Sequence, residues 1–213
     1  WAEKGLVGGF RPDRLEALLR KHPEAKGVFS VSPTYHGIGS DLEALATAAH
    51  RNGCVFIADE AHGNHVYFHK DLPTGALAAG ADIACQSTHK MSGSLGQSSM
   101  LHVKGDRVDR ARLRANLQLL QSTSPSYLLQ ASLDAARHFM ATEGAAVFGD
   151  LLPRIEEARA SIGRIPGLEV LGPSLAGSHG IAYYEPTRLV VSARQLGIEG
   201  YDLFRRLRSS YGV

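Results

Sequence analysis

Between Gly27 and Met100 short runs of β-forming residues alternate with stretches of helical periodicity, and this alternation restricts the chain to few folds. A strand, a crossover helix and a second strand build a sheet whose neighbours run parallel and whose faces carry helices. The fold class is therefore α/β, a mainly parallel sheet with flanking helices. Gly27 to Val31 reads as the first strand, and Ser40 or Asp41 can cap a helix through Ala49 whose end is marked by Asn52-Gly53. Cys54 to Ala58 reads as the second strand and delivers Asp59 at its carboxyl end, the edge beyond which ligands gather in open α/β sheets. Pro73 to Ala79 reads as a short helix, Ile83 to Gln86 as a third strand and Ser99 to Val103 as a fourth. Lys90 falls in the polar, glycine-containing connection from Ser87 to Ser98.

Downstream, Arg107 to Leu120 and Tyr127 to Ile165 show helical periodicity, which Gly144 and Pro153 are expected to interrupt. Strand patterns return after Pro166-Gly167, near Leu168 to Leu171 and Leu189 to Ser192, before a helix from Gly200 to Ser209. Residues 1–166 are thus expected to form part of a large domain, and 167–213 the start of a small α/β domain. Trp1 opens the chain in place of a methionine, and Tyr211-Gly212-Val213 closes it just after a helical pattern, so both ends read as cut. A partial sheet of this kind is expected to expose strand edges and apolar faces.

Composition narrows the partners. The 213 residues are 44% hydrophobic, enough for a sizeable core. Lys and Arg number 23 against 21 Asp and Glu, so a formal charge of +2 gives no field that argues for nucleic acid or an anionic membrane. No apolar run approaches bilayer length, and no basic segment followed by a hydrophobic one opens the chain. Cys54 and Cys85 sit in apolar runs without metal or redox spacing. A cytoplasmic protein acting on a small molecule is the resulting expectation.

The segment richest in chemistry is Ala58-Asp59-Glu60-Ala61-His62-Gly63-Asn64-His65, followed 31 positions after Asp59 by the lysine of Ser87-Thr88-His89-Lys90. Singly, a carboxylate at a strand end is most often a cap and a loop lysine a solvated charge. Jointly they match pyridoxal 5'-phosphate (PLP) chemistry. That cofactor needs a lysine amine for its aldehyde, a carboxylate to keep its pyridine nitrogen protonated, and hydroxyl and backbone donors for its phosphate.

Several phrases carry a wider resemblance: Ser32-Pro33-Thr34-Tyr35-His36-Gly37, Asp59-Glu60-Ala61-His62-Gly63, Ser87-Thr88-His89-Lys90, Thr123-Ser124-Pro125-Ser126-Tyr127 with Ser132-Leu133-Asp134-Ala135-Ala136, and Glu185-Pro186-Thr187-Arg188. In order and spacing the chain resembles the ornithine/lysine/arginine decarboxylases, within the fold-type I PLP-dependent enzymes. The resemblance implies a PLP-dependent transferase-like large domain and decarboxylation of a basic amino acid to a polyamine precursor. It makes Lys90 the Schiff-base lysine, Asp59 the partner of the pyridinium nitrogen, Ala61 a residue against the ring face and His62 one near its phenolic oxygen. Ser87 becomes a phosphate ligand and His89 a neighbour of the reacting centre. Ser122 and Thr123 would reach the phosphate of the adjacent subunit, which implies a homodimer or higher homo-oligomer. The family's glycine- and serine-rich phosphate turn and cofactor-stacking ring would fall upstream of Trp1. Met91-Ser92-Gly93-Ser94 departs from the family's usual residues after the lysine, and Leu95 to Val103 resumes the pattern.

Other readings stay open. Asp, Lys and the preceding serine also occur in PLP-dependent aminotransferases, and the phrases could persist in a non-catalytic fragment. Asp59, Glu60, His62 and His65 could hold zinc, but they lack the i, i+4 histidine pair of a helical zinc site, so no metal is expected. His22, His50 and His138 read as ordinary polar positions, and Arg107, Arg110, Arg112 and Arg114 as a solvated helix face.

Overall fold

The computed structural model describes residues 5–212, so Trp1 and Val213, on which the reading of cut ends turns, lie outside the described residues. A first helix, α1 (Pro12–Lys21), opens on a proline at its N-terminal turn, carries Asp13 there and Arg20 and Lys21 in its last turn, and buries Leu15 and Leu19 one turn apart. Strands β1 (Gly27–Val31) and β2 (Ile38–Gly39) lead to α2 (Leu42–Arg51). The Asp41 carboxylate caps α2 by accepting from the Ala44 N–H at 2.9 Å, and Gly53, in the left-handed region at φ +71°, follows its C-cap Asn52. Next come β3 (Val55–Asp59), β4 (Ile83–Gln86), the four-residue helix α3 (Thr88–Met91) and β5 (Met100–Val103).

The main sheet runs β1-β3-β4-β5, with β1, β3 and β4 parallel and β5 antiparallel. This is the expected mainly parallel α/β sheet. One face, bearing Val28, Phe56, Ala58 and Ala84, packs on Leu15 and Leu19 of α1 and Leu42, Leu45 and Ala49 of α2. The opposite face leaves Phe29 59% and Val31 43% exposed, with Cys85 and Leu101 also open to solvent. Asp59 belongs to this second face, since it pairs in register with Val31 and Cys85.

Two sequence expectations change. Pro73–Ala79 is not a helix, because the Ala76 N–H donates to Glu60 Oε1 at 2.7 Å and the Leu77 N–H to the Tyr67 hydroxyl at 3.2 Å; side chains take the donors a helical ladder would use. Conversely, α4 (Arg110–Leu120) is followed by one continuous helix, α5 (Tyr127–Gly163), uninterrupted at Gly144 or Pro153. Ala136, Met140, Gly144 and Phe148 form a buried stripe at four-residue spacing, and Gly144 lets Phe68 lie so close that an added Cβ would sit 3.0 Å from the Phe68 Cβ. This packing with Val66, Phe68 and Leu72 offsets the roughly 3 kcal/mol that an internal proline costs a helix. Arg107 lies before α4 and reaches the buried Asp82 at 3.6 Å, a carboxylate that also meets His50 Nε2 and the Phe56 N–H at 2.8 Å each.

Beyond α5, β6 (Glu169–Val170) pairs with β8 (Val191–Ser192), and β7 (Tyr183–Tyr184) with β2, before α6 (Gly200–Tyr211). His65 and Glu185, both fully buried, meet at 3.1 Å and tie the turn after β3 to the segment after β7. Burial alone would raise the Glu185 carboxyl, but hydrogen bonds from His65 and Thr187 outweigh it and hold the group below the usual carboxylate value. Glu185→Ala in the full chain is expected to cost about 3 kcal/mol, since it orphans a buried imidazole. A depressed carboxyl contributes stability above its unfolded value and loses it as pH falls through the folded one, so the variant should lack that acid dependence. Urea unfolding midpoints at neutral and acid pH check both expectations.

Candidate active site

Three strand ends meet at one level. Asp59 and Cys85 are partners across β3 and β4, the Ser32 N–H at the end of β1 donates to the Asp59 carbonyl at 3.0 Å, and the Glu60 N–H donates to the Cys85 carbonyl at 2.9 Å. Asp59 Oδ1 accepts from the Ala61 N–H at 2.9 Å, whereas Oδ2 makes no hydrogen bond among the described residues. The chain then turns sharply. The turn passes so near β1's exit that a Cβ on Gly63 would lie 2.6 Å from Pro33 Cδ and 2.7 Å from Glu60 Cγ, which restricts that position to glycine.

Glu60 faces away from the mouth and is 1% exposed. Its carboxylate accepts from the Tyr67 hydroxyl at 2.8 Å, the Ala76 N–H at 2.7 Å and Gln86 Nε2 at 2.6 Å. With its amide nitrogen so engaged, Gln86 presents Oε1 to His102 Nε2 at 3.0 Å, so that ring nitrogen carries the proton. Burial pushes the Glu60 carboxyl up despite these donors, and burial and then the Glu60 charge push the Tyr67 phenol up. This buried layer fixes the base of the loop that bears Asp59 and His62.

Beyond β4, Ser87 stands at the N-cap of α3, and its carbonyl accepts from the Lys90 N–H at 3.0 Å and from Asn64 Nδ2 at 3.4 Å. The Ser87 hydroxyl makes no hydrogen bond among the described residues. Lys90 projects from the exposed side of α3, without an ion-pair partner among the described residues, and its Nζ lies 3.5 Å from His62 Nε2. Arg188 Nη2 approaches the other ring nitrogen of His62, Nδ1, at 3.0 Å, and the Tyr35 ring stands edge-on to it at 5.4 Å. Burial, then the charges of Lys90 and Arg188, hold His62 below its ordinary value, against the opposing pull of Asp59.

The structure thus gathers Asp59, Ala61, His62, Ser87 and Lys90 at the carboxyl ends of β3 and β4. His89 is turned aside, with Nδ1 donating to the Ser98 carbonyl at 2.7 Å. Ser122 and Thr123 are exposed between α4 and α5; the Ser122 hydroxyl bonds locally to Ser124, and neither residue contacts the Lys90 cluster within this chain. Asp59, Glu60, His62 and His65 do not converge, since Glu60 and His65 are engaged elsewhere, and among the described residues no three metal-ligating side chains cluster. A largely apolar cavity of about 220 Å³ lies behind α3, between Gln86, Thr88, His102 and Met140, but Asp59, His62 and Lys90 do not line it. The chemistry collects at the open mouth instead.

Arg188 and Tyr35 are residues that sequence reasoning left without a role, and Glu60 entered it only as a possible zinc ligand. Arg188 was visible only inside the phrase Glu185-Pro186-Thr187-Arg188, and its 126-position separation from His62 carries no local signal.

The unengaged groups test whether PLP fits. Among the described residues, the Lys90 amine has no carboxylate partner, Asp59 Oδ2 is open and the Ser87 hydroxyl is unbonded; all lie at or just past the ends of β3 and β4, and they are the group types that an aldehyde, a pyridine nitrogen and a phosphate require. The residues fit the group.

A family model described as the Orn/Lys/Arg decarboxylase major domain matches residues 4–190. An arginine decarboxylase of Bacillus subtilis is 39% identical over 211 residues, which cover 99% of this chain and 43% of that protein. One of Halalkalibacterium halodurans is 41% identical over 209 residues, covering 98% and 43%. The chain therefore spans less than half the length of these curated relatives. Among solved structures, an alanine–glyoxylate aminotransferase from Nostoc sp. superposes with a TM-score of 0.74 at 20% identity over 97% of this chain and 55% of that one, a likeness of fold.

Proposed function

The chain belongs to the Orn/Lys/Arg decarboxylase family through its major domain, and on that premise we propose that the protein removes the α-carboxylate of a basic amino acid, arginine first, with PLP held at Lys90. The observation that carries this reading is the Lys90 amine, which has no carboxylate partner among the described residues and is set beside His62 from α3, just after the strand that neighbours Asp59. When bound, PLP supplies a sink for the electron pair left as the bond from Cα to the carboxylate breaks. Asp59, braced by the Ala61 N–H, would remain ionised and through its open Oδ2 keep the pyridine nitrogen protonated, and Ser87 would bind phosphate through its hydroxyl. Ala61 and His62 would lie against the cofactor ring. His89, whose Nδ1–H is held by the Ser98 carbonyl, would deliver a proton to Cα from Nε2 only as an imidazolium, so the task would fall first to Lys90 Nζ.

The same reading assigns residues 1–166 to a large domain and 167–213 to the start of a small one. It places Ser122 and Thr123, exposed and distant from their own Lys90 cluster, at the site of a neighbouring subunit in a homodimer or higher homo-oligomer. Among the described residues no helix is long and apolar enough to cross a membrane, and Cys54 and Cys85 are unpaired, which supports a cytoplasmic placement. The test is carbon dioxide release by the full-length protein with added PLP from arginine, lysine and ornithine, with keto-acid formation measured in parallel. Release from arginine together with agmatine is the expected result. Keto acid without carbon dioxide would transfer the chain to the aminotransferase reading.

A further inference from the structure

His62 stands between two cationic side chains, and its ring can accommodate both in one way. Arg188 Nη2 lies 3.0 Å from Nδ1, and a guanidinium has donors only and keeps its proton, so Nδ1 carries the lone pair. In the neutral ring the proton then sits on Nε2, the atom 3.5 Å from Lys90 Nζ. An N–H facing an ammonium gives two donors and no acceptor. The contact becomes favourable when Lys90 is the free amine, whose lone pair accepts from Nε2–H. We infer that Arg188 is a positioning residue which, by donating to Nδ1, locks His62 in its Nε2–H tautomer and thereby favours the neutral, nucleophilic form of Lys90. The inference deepens the proposed function and rests on its reading of Lys90 as the amine that holds the cofactor.

The surroundings support a fixed Arg188. Its Nε lies 3.7 Å from Glu185 Oε2, itself anchored by His65 and Thr187, and Nη2 also meets Met91 Sδ at 3.2 Å. Its Cβ and Cγ pack so tightly on Gly37 that a Cβ there would sit 2.9 Å from each, at a left-handed φ of +84°. The groups facing His62 are Lys90 from α3, Arg188 from the segment after β7, Asp59 from the end of β3 and the Tyr35 ring from the loop after β1. Asp59 is the acidic one, and its Oδ1 already accepts from Ala61. Burial and the Arg188 charge hold the ring below its ordinary value, toward the neutral form that the tautomer argument requires, and they do so whether or not Lys90 adds its own charge. Without Arg188, the proton can move to Nδ1, and a bare Nε2 then accepts from the ammonium of Lys90, the unreactive form.

The experiment uses the full chain free of cofactor, with ¹⁵N-labelled histidine. Long-range ¹H–¹⁵N correlation spectra, with His62→Gln to assign the signals, show which ring nitrogen is protonated. Nε2–H is expected in the wild type and in Arg188→Gln, which keeps a donor, and Nδ1–H or a mixture in Arg188→Met. Acetylation of Lys90 by acetic anhydride at neutral pH, followed by peptide mass spectrometry, should slow about tenfold in Arg188→Met, the order of effect expected for one hydrogen bond to a charged group. Nδ1–H in the wild type overturns the inference, even where Arg188→Met fails to fold. So does an Arg188→Met protein with unchanged tautomer and labelling. Neither readout involves the cofactor, so the result is distinct from whether Lys90 binds PLP.

Discussion

Lys90→Ala is expected to abolish decarboxylation by the full-length protein, a loss on the order of 10⁴-fold or more, and to remove the visible absorption band that PLP acquires when joined to a lysine. Removal of this side chain should barely touch the fold. It is exposed, and among the described residues it has no ion-pair partner and a single polar side-chain contact, the 3.5 Å approach to His62. Changes of that kind alter stability by about 0.5 kcal/mol or less, so an unchanged melting temperature together with lost absorbance separates chemistry from folding. Lys104→Ala is the matched control, because Lys104 Nζ donates to the Leu77 carbonyl at 2.9 Å and takes no part in the cluster. A Lys90→Ala protein that retains the band would remove the basis of the proposed function.

What the sequence revealed and what it hid follow from the range of the interactions. β1, β3 and β4 were legible because each is a short β-rich run bounded by turn residues, and α2 because Asp41 and Asn52-Gly53 mark its two ends. Asp59 and Lys90 could be linked because one cofactor's chemistry needs both, and they prove to lie at the end of β3 and just after its parallel neighbour β4. The failures lie where distant groups decide. Pro73–Ala79 loses its helix to the side chains of Glu60 and Tyr67, and α5 continues through Pro153 because its buried stripe packs against Val66, Phe68 and Leu72. The pairing of Ile38–Gly39 with Tyr183–Tyr184 joins segments too short to show a period of two. His62 illustrates both limits: its place in the cofactor site was expected from a phrase, whereas Arg188, which determines its tautomer, arrives from 126 positions away.

Asp59→Asn should retain the fold and lower kcat by about 10²- to 10³-fold, the usual effect of removing a single preorganised electrostatic group. The amide oxygen of Asn can still accept from the Ala61 N–H at Oδ1, so the turn that carries His62 keeps its bracing. What disappears is the negative charge, and with it the means of keeping the cofactor's ring nitrogen protonated. Lys90 remains, so the visible band of lysine-bound PLP should persist, which distinguishes this variant from Lys90→Ala. Two neighbours report the lost charge without any cofactor. His62 is held down by burial, Lys90 and Arg188 against Asp59, so its NMR titration should fall further. The Cys85 thiol, which burial and then the Asp59 charge push up, should react faster with iodoacetamide at a given pH once that charge is gone. If His62 and Cys85 respond in these directions while kcat stays unchanged, the carboxylate shapes the local field but does not serve the reaction, and its role as partner of the cofactor's nitrogen is lost.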